Sequence, residues 1–187
     1  RLPGGTSRGP GDGDAAAHAA MTAASAVYWA RRALLPDGVA AGVVLECGVD
    51  GQLTAVRVGV AVAPPGATVL RGLVLPGLAD HHSHAFHRAL RGRAVGGDFW
   101  AWRSEMYALA ARLDPDRMLA LASAAFAELV LAGVTTVHEF HYLHHPDGMD
   151  DAVCEAARRA GIRLVLLDTC YLRAGFGGED LDPVQRR

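Results

Sequence analysis

The chain has 187 residues and a mass of 19.6 kDa, 51% of its residues are hydrophobic, and its formal net charge is -2. This length and composition allow a sizeable core and exclude a disordered or collagen-like protein. The eighteen basic residues are balanced by twenty acidic ones, and no apolar run approaches the roughly 20 residues of a membrane span. We therefore expect neither nucleic acid nor a membrane as partner.

Two features of the sequence bear on location and processing. Cys47, Cys154 and Cys170 are far apart and form no C-x-x-C motif, which fits a reducing compartment, and we expect a cytoplasmic protein. Residues 1–26 are rich in Gly, Pro, Ala and Asp and predict a disordered N-terminal extension, without the strongly apolar stretch of a secretory signal. We expect the native protein to start at Met21.

A β-hairpin is the first predicted structure. Residues 43–49 and 52–60 are rich in β-branched side chains and flank the Asp-Gly dipeptide at 50–51, which favours the positive φ angles of a tight turn. After a Pro-Pro-Gly loop, residues 68–78 form a nearly continuous apolar run, the pattern of a strand buried on both faces. We assign residues 27–72 to a small β-sandwich-like domain.

Helices and strands alternate in the rest of the chain. Strands joined by long helical crossovers pair in parallel, so residues 73–187 predict the α/β class, with a parallel sheet of βα units. The predicted helices span residues 99–112, 115–132 and 150–160, and the predicted strands span residues 134–142 and 162–171.

Eight of the nine histidines lie between residues 81 and 145. The densest group, PGLADHHSH, contains His82 and His84 where the buried strand ends. Alternate residues of a strand point the same way, so these two side chains are expected to face one point, and His81 and Ser83 the opposite side. Two such imidazoles form half of a divalent metal site, and zinc, iron, nickel and copper all accept imidazole ligands.

A second cluster, HEFHYLHH at residues 138–145, differs from the HExxH zinc motif. That motif lies on a helix and has its second histidine three residues after Glu, whereas Tyr142 takes this position after Glu139, in a predicted strand. We expect the histidines of this cluster to be structural or solvated. A direct metal role is the less favoured alternative for each of them: His138, His141, His144 and His145.

A β-hairpin followed by a buried strand ending in PGLxDxHxH resembles the amidohydrolase superfamily. Within it, HSHAFHRALRG (82–92), DFWAWRSEMYALAARLDPD (98–116) and AGVTTVHEFHYLHH (132–145) resemble the formimidoylglutamate deiminase family, over residues 27–178. The resemblance implies a small β domain and a (β/α)8 TIM barrel that binds one zinc ion. It also implies a hydrolase of linear amidines, which converts N-formimino-L-glutamate and water to N-formyl-L-glutamate and ammonia in histidine degradation.

The resemblance assigns roles to five residues. His82 and His84 match the first two zinc ligands of the family. Arg103 and Tyr142 match residues that contact substrate, and His87 matches a polar residue of the substrate pocket. Because this substrate carries two carboxylates, a planar cation that binds carboxylate through two hydrogen bonds suits it.

The length predicts an incomplete barrel. A (β/α)8 barrel needs roughly 250 residues, and residues 73–187 have room for about three βα units. The remaining metal ligands and the proton-transferring residues are expected beyond residue 187, so we expect this chain alone to be inactive and the full-length enzyme to be active, as a homodimer. Two alternatives stay open: a ring deaminase similar to guanine deaminase, and a non-catalytic metal-binding remnant.

Overall fold

The structure is a computed structural model, and it describes residues 26–93, 96–174 and 180–181. The predicted disordered extension therefore lies outside the described residues, except that Ala26 already belongs to a strand. The expected start at Met21 lies outside them as well. No helix in the described part of the chain is long and apolar enough to cross a lipid bilayer.

The described residues divide into two compact units, the first ending at Pro76 and the second beginning at Gly77. The sequence places the boundary between residues 72 and 73, and these domain limits remain a prediction. The strands of the first unit are β1 (Ala26–Leu35), β2 (Gly38–Cys47), β3 (Leu53–Arg57) and β4 (Thr68–Val74).

The first unit is one four-stranded sheet in the order β3-β2-β1-β4. Strands β2 and β3 pair in antiparallel fashion around the Asp-Gly turn, where Gly51 has φ +76°, and confirm the predicted hairpin. Strand β1 pairs with β2 in a further hairpin that the sequence analysis misses. Ala30, Ala33 and Val43 form the buried centre of this sheet.

The prediction of one strand over residues 68–78 is wrong. The run divides into β4 in the first unit and a strand of the second unit that begins at Leu78. Pro76 lies between them and has no backbone N–H to continue a ladder. Strand β4 is also not buried on both faces, since Val69 and Leu73 are about half exposed.

The second unit contains a three-stranded parallel sheet, which confirms the α/β class and the predicted βα units. Its strands pair in chain order. Asp98 and Asp114 cap the first two α-helices, and their carboxylates accept hydrogen bonds from backbone N–H groups in the first turn. The elements are β5 (Leu78–Ser83), a 3-10 helix (Ala85–Leu90), α1 (Phe99–Ala110), α2 (Pro115–Leu131), β6 (Val134–His141), α3 (Met149–Ala160) and β7 (Arg163–Asp168).

The hydrophobic core of the second unit lies on one face of this sheet, under α2 and α3. Met118 and Phe126 of α2, Met149 and Val153 of α3 and Val137 of β6 are almost completely buried. Side chains of β6 alternate between the two faces of the sheet, so Phe140 lies on the face opposite Val137.

Gly77 packs directly against Thr135 at the start of the second sheet. A Cβ added to Gly77 would overlap the side-chain oxygen and methyl group of Thr135. We therefore expect Gly77→Ala to lower the free energy of unfolding by about 1–3 kcal/mol, as measured by urea denaturation. Adding Thr135→Ala removes two of the three Thr135 atoms that the new Cβ would overlap and leaves Thr135 Cβ, so it should recover part of the loss. An unchanged urea midpoint for G77A would contradict this contact.

Candidate active site

His82 and His84, the histidine pair, lie at the carboxyl end of β5 with their ring centroids 4.8 Å apart. His84 Nδ1 lies 3.0 Å from the carbonyl oxygen of Phe140, to which it donates as N–H, and this leaves the Nε2 lone pair available. Burial lowers the pKa of His84, although the Phe140 carbonyl opposes the shift. A neutral imidazole of this tautomer can bind a metal ion through Nε2.

Strand β5 is irregular beside the histidine pair. Its register with β6 shifts between Asp80 and Ser83. Within this interval the Asp80 carboxylate accepts a hydrogen bond from the backbone N–H of His82 at 3.1 Å. An irregular strand does not keep strict alternation of its side chains. His81 lies in this interval, and its ring centroid is 4.7 Å from that of His138.

His87 and Tyr142 form a polar edge next to the histidine pair. His87 Nε2 lies 3.0 Å from the Tyr142 hydroxyl, which donates to the sulfur of Met106 at 3.6 Å. Burial, followed by the charges that His84 and His82 carry when protonated, lowers the pKa of His87 to about 4. Burial also raises the pKa of Tyr142 above its usual value. Near pH 7 both groups are therefore uncharged.

Arg103 lies on α1, and its guanidinium is held by aromatic neighbours. Nε and Nη2 donate to the Tyr107 hydroxyl at 3.1 and 2.9 Å, and Cζ lies 5.6 Å from the Trp100 ring centroid. No carboxylate pairs with it among the described residues. The Nη1 amine and one N–H of Nη2 are therefore available to an anionic ligand.

One cavity of about 400 Å³ is lined by all five residues to which the resemblance assigned roles: His82, His84, His87, Arg103 and Tyr142. The rest of the lining is aromatic apart from one methionine and lies outside the set of site residues predicted from the sequence: Phe99, Trp102, Met106, Tyr107, Phe140 and Tyr171. The α1 residues of the lining recur at positions 99, 102, 103, 106 and 107, the spacing of one helix face. That spacing is the signal that could have found them.

Glu139 is a buried carboxyl beside the histidine pair that the sequence analysis also misses. It is 1% exposed, and its Oε1 accepts a hydrogen bond from the backbone N–H of Ala85 at 2.7 Å. Burial raises its pKa, although hydrogen bonds to Ser83 and Ala85 oppose the shift. Because Ala85 directly follows His84 in the chain, the hydrogen bond to its N–H lets Glu139 hold the backbone next to that residue.

The histidines at the end of β6 lie elsewhere. His141 is 2% exposed and faces α3, where its Nε2 is 3.5 Å from a carboxylate oxygen of Asp150. His144 lies next to it, with a centroid distance of 5.4 Å between the two rings. Neither residue lines the cavity that contains the histidine pair.

The chain is similar to known proteins in both sequence and fold. Residues 73–186 match the model of the amidohydrolase family. The chain is 44% identical over 177 residues to formimidoylglutamate deiminase of Pseudomonas aeruginosa, an alignment that covers 87% of this chain and 38% of that protein. A crystal structure of an amidohydrolase from Brucella melitensis matches with a TM-score of 0.79 and 36% identity, covering 87% of this chain and 39% of that one.

An adenosine deaminase from Xanthomonas campestris, solved with bound zinc, has a similar fold, with a TM-score of 0.58 and 20% identity. That match covers 76% of this chain and 33% of the deaminase chain. The chain thus spans less than half the length of each of these relatives.

Proposed function

Because the chain belongs to the amidohydrolase family of metal-dependent hydrolases and deaminases, we propose that it forms the first part of a formimidoylglutamate deiminase. Such an enzyme hydrolyses N-formimino-L-glutamate to N-formyl-L-glutamate and ammonia. The proposal is carried by one observation, the cavity in which the histidine pair and the Arg103 guanidinium lie together. A metal-binding group and a carboxylate-binding group are the two parts that this substrate needs.

The histidine pair fits two positions of a single zinc site. The hydrogen bond from His84 Nδ1 to a backbone carbonyl is typical of zinc-binding histidines, because it fixes the tautomer and the ring. Catalytic zinc takes about three protein ligands and a water, and in the described part of the chain no third ligand joins this pair. Zinc bound there supplies a Lewis acid that lowers the pKa of a bound water to about 7.

The other residues of the cavity have roles that follow from their charge. Arg103 binds a substrate carboxylate through its available N–H groups. His87 and Tyr142 are uncharged near pH 7 and offer hydrogen bonds to the polar groups of the substrate without repelling them. The aromatic residues of the cavity lining, among them Phe99, Trp102 and Phe140, would exclude water from the middle of the bound substrate.

A ring deaminase is the second candidate, and the composition of the cavity wall favours it. Phe99, Trp102 and Phe140 offer flat apolar faces on which a planar ring can stack. Such a substrate has no carboxylate for Arg103. The two candidates therefore differ in their dependence on this arginine.

Ammonia release tests the proposal. The protein made from its complete reading frame, supplied with zinc, is incubated separately with N-formimino-L-glutamate, guanine and adenosine. We expect ammonia from the first substrate alone. Because the described residues supply half of a metal site, we expect the 187-residue chain by itself to release none. Ammonia from a purine and none from N-formimino-L-glutamate would overturn the proposal in favour of a ring deaminase.

Tyr142→Phe tests the polar edge of the cavity. This change removes the hydroxyl at 3.0 Å from His87 Nε2 and leaves that partly buried nitrogen without its partner. We expect the free energy of unfolding to fall by about 1 kcal/mol and kcat/KM for N-formimino-L-glutamate to fall by about tenfold. Urea denaturation and steady-state kinetics measure the two effects. Tyr28→Phe in the first sheet is the control, and equal losses in both variants would contradict the assigned contact.

A further inference from the structure

Three side chains converge where β6 ends and α3 begins. His141 is the last residue of β6, His144 lies in the loop that follows, and Asp150 is in the first turn of α3. His141 Nε2 lies 3.5 Å and His144 Nδ1 lies 3.9 Å from the same oxygen, Asp150 Oδ1. One ligand atom from each of the three residues lies within 4.8 Å of the others. We call His141, His144 and Asp150 the β6–α3 cluster.

The hydrogen bonds of His144 direct a lone pair into this cluster. Its Nε2 lies 3.0 Å from the carbonyl oxygen of Thr169, which can only accept, so Nε2 carries the proton of the neutral ring. Nδ1 is then an acceptor, and it faces the Asp150 carboxylate oxygen, a second acceptor, at 3.9 Å. A cation held between these two acceptors would be attracted to both of them.

His141 supplies the second, independent observation. Its side chain is 2% exposed, and its Nε2 is buried without a hydrogen-bond partner in the described part of the protein. A buried polar atom left without a partner costs about 1–3 kcal/mol. This nitrogen points at the same Asp150 oxygen as His144 Nδ1. A cation held by the three atoms would satisfy both nitrogens at once.

We propose that the β6–α3 cluster binds a divalent transition metal ion such as zinc. Tetrahedral zinc with ligand distances of about 2.0–2.2 Å places neighbouring ligand atoms roughly 3.3 Å apart. The separations of 3.5 and 3.9 Å are slightly longer, and the half-exposed Asp150 side chain can rotate to close the difference. Two imidazoles and one carboxylate are a ligand set that zinc accepts, with a fourth position for water.

The site is separate from the cavity described above and does not depend on the proposed function. His141 faces α3, whereas Phe140 and Tyr142, its neighbours in the chain, line the cavity. A metal ion in the β6–α3 cluster fixes the backbone on both sides of Tyr142. Its role is therefore to fasten the end of β6 to the start of α3.

An alternative set of ligands shares His144. Its Nε2 lies 3.4 Å from a carboxylate oxygen of Asp168 and 4.0 Å from Cys170 Sγ. We favour the β6–α3 cluster because the same Nε2 carries the proton donated to Thr169. The thiolate of Cys170 makes the two sets distinguishable by spectroscopy, since a thiolate bound to cobalt gives an intense near-ultraviolet absorption and a carboxylate does not.

Zinc titration of the protein made from its complete reading frame tests the proposal. We use isothermal titration calorimetry and metal analysis on His82→Ala/His84→Ala, in which the histidine pair is removed. One equivalent of zinc should still bind. Adding Asp150→Asn should weaken this binding at least about tenfold, whereas Asp151→Asn, the next residue on the same helix, and Cys170→Ser should leave it unchanged. Cobalt should bind without a thiolate absorption band.

Three results would overturn the proposal: no zinc bound by a folded His82→Ala/His84→Ala variant, equal affinity after Asp150→Asn, or a cobalt–thiolate band that Cys170→Ser removes. If the double histidine variant does not fold by circular dichroism, zinc is counted in the unmodified protein. There Asp150→Asn should lower the zinc content by one equivalent and Asp151→Asn by none. An equal zinc content in all three proteins would also overturn it.

Discussion

Replacement of His84 by alanine is expected to lower kcat/KM for N-formimino-L-glutamate by more than about a thousandfold. The hydrogen bond from His84 Nδ1 to the Phe140 carbonyl leaves the lone pair on His84 Nε2 free. The ring centroids of His82 and His84 are 4.8 Å apart. If the histidine pair holds a metal ion as proposed, removal of one imidazole would take away one of its ligands, and the Lewis acid that the ion would supply to the cavity would be lost. Metal analysis and ammonia release on the protein made from its complete reading frame measure both consequences.

His81→Ala is the matched control for this prediction. His81 is a nearby histidine of β5, but it is exposed, and its ring contacts His138 and does not line the cavity. It should keep its metal and most of its activity. Circular dichroism must show that the His84 variant is folded, because this ring also contacts Phe140 and Tyr142. A folded H84A protein with full metal content and full activity would show that the histidine pair is not the metal site.

Arg103→Ala is expected to raise KM for N-formimino-L-glutamate by about a hundredfold, with a smaller effect on kcat. Two charge-assisted hydrogen bonds to a carboxylate, each worth about 1.5 kcal/mol, account for this size. The guanidinium is held in place by the Tyr107 hydroxyl and the Trp100 ring, so its remaining N–H groups are already oriented. Arg103→Lys should recover part of the loss, since an ammonium keeps the charge and loses the planar fork.

Arg112→Ala is the control for Arg103. Arg112 follows the same helix and is exposed, and its side chain does not line the cavity. Its removal should leave KM unchanged. If Arg103→Ala also leaves KM unchanged, the substrate is not held by a carboxylate at this position. The ring deaminase would then be the better interpretation of the cavity.

Local signals predict the α-helices of the second unit well, because the ends of these helices are specified by residues close in sequence. Asp114 followed by Pro115 predicts the start of α2, and the structure places the helix there with the Asp114 carboxylate as its cap. Gly161 ends α3 with φ +70°, as expected for a residue without a side chain. Such boundaries need no knowledge of the rest of the fold.

The first sheet is less predictable, since its strands depend on which partner they find. Strand β1 has two consecutive arginines, Arg31 and Arg32, in its centre, and this interrupts the alternation that marks a strand. Residues on the two sides of Pro76 are similarly apolar, so composition does not show that they belong to different sheets. Pairing across the chain decides both outcomes.

The candidate site, too, can be predicted only in part from the sequence. Motif resemblance finds the five polar residues of the cavity, because they lie in recognisable strings. Glu139 is missed because its role depends on the register that places it beside Ser83, and the hydrogen bond to Ala85 spans 54 residues of sequence. The aromatic residues of the lining lie outside the predicted set because the face that α1 turns towards the cavity is set by packing.

The strand order of the first sheet has a consequence for how the protein is made. The hairpins β1–β2 and β2–β3 join neighbouring segments, whereas the parallel pair β1–β4 brings Tyr28 beside Thr68, across most of the unit. Longer loops are slower to close, so we expect β4 to join the sheet after the β1–β2 and β2–β3 hairpins have formed. All four strands of this sheet have been synthesised once the ribosome has passed Val74. The first unit can therefore fold during translation, before β6 and β7 of the second unit have been synthesised.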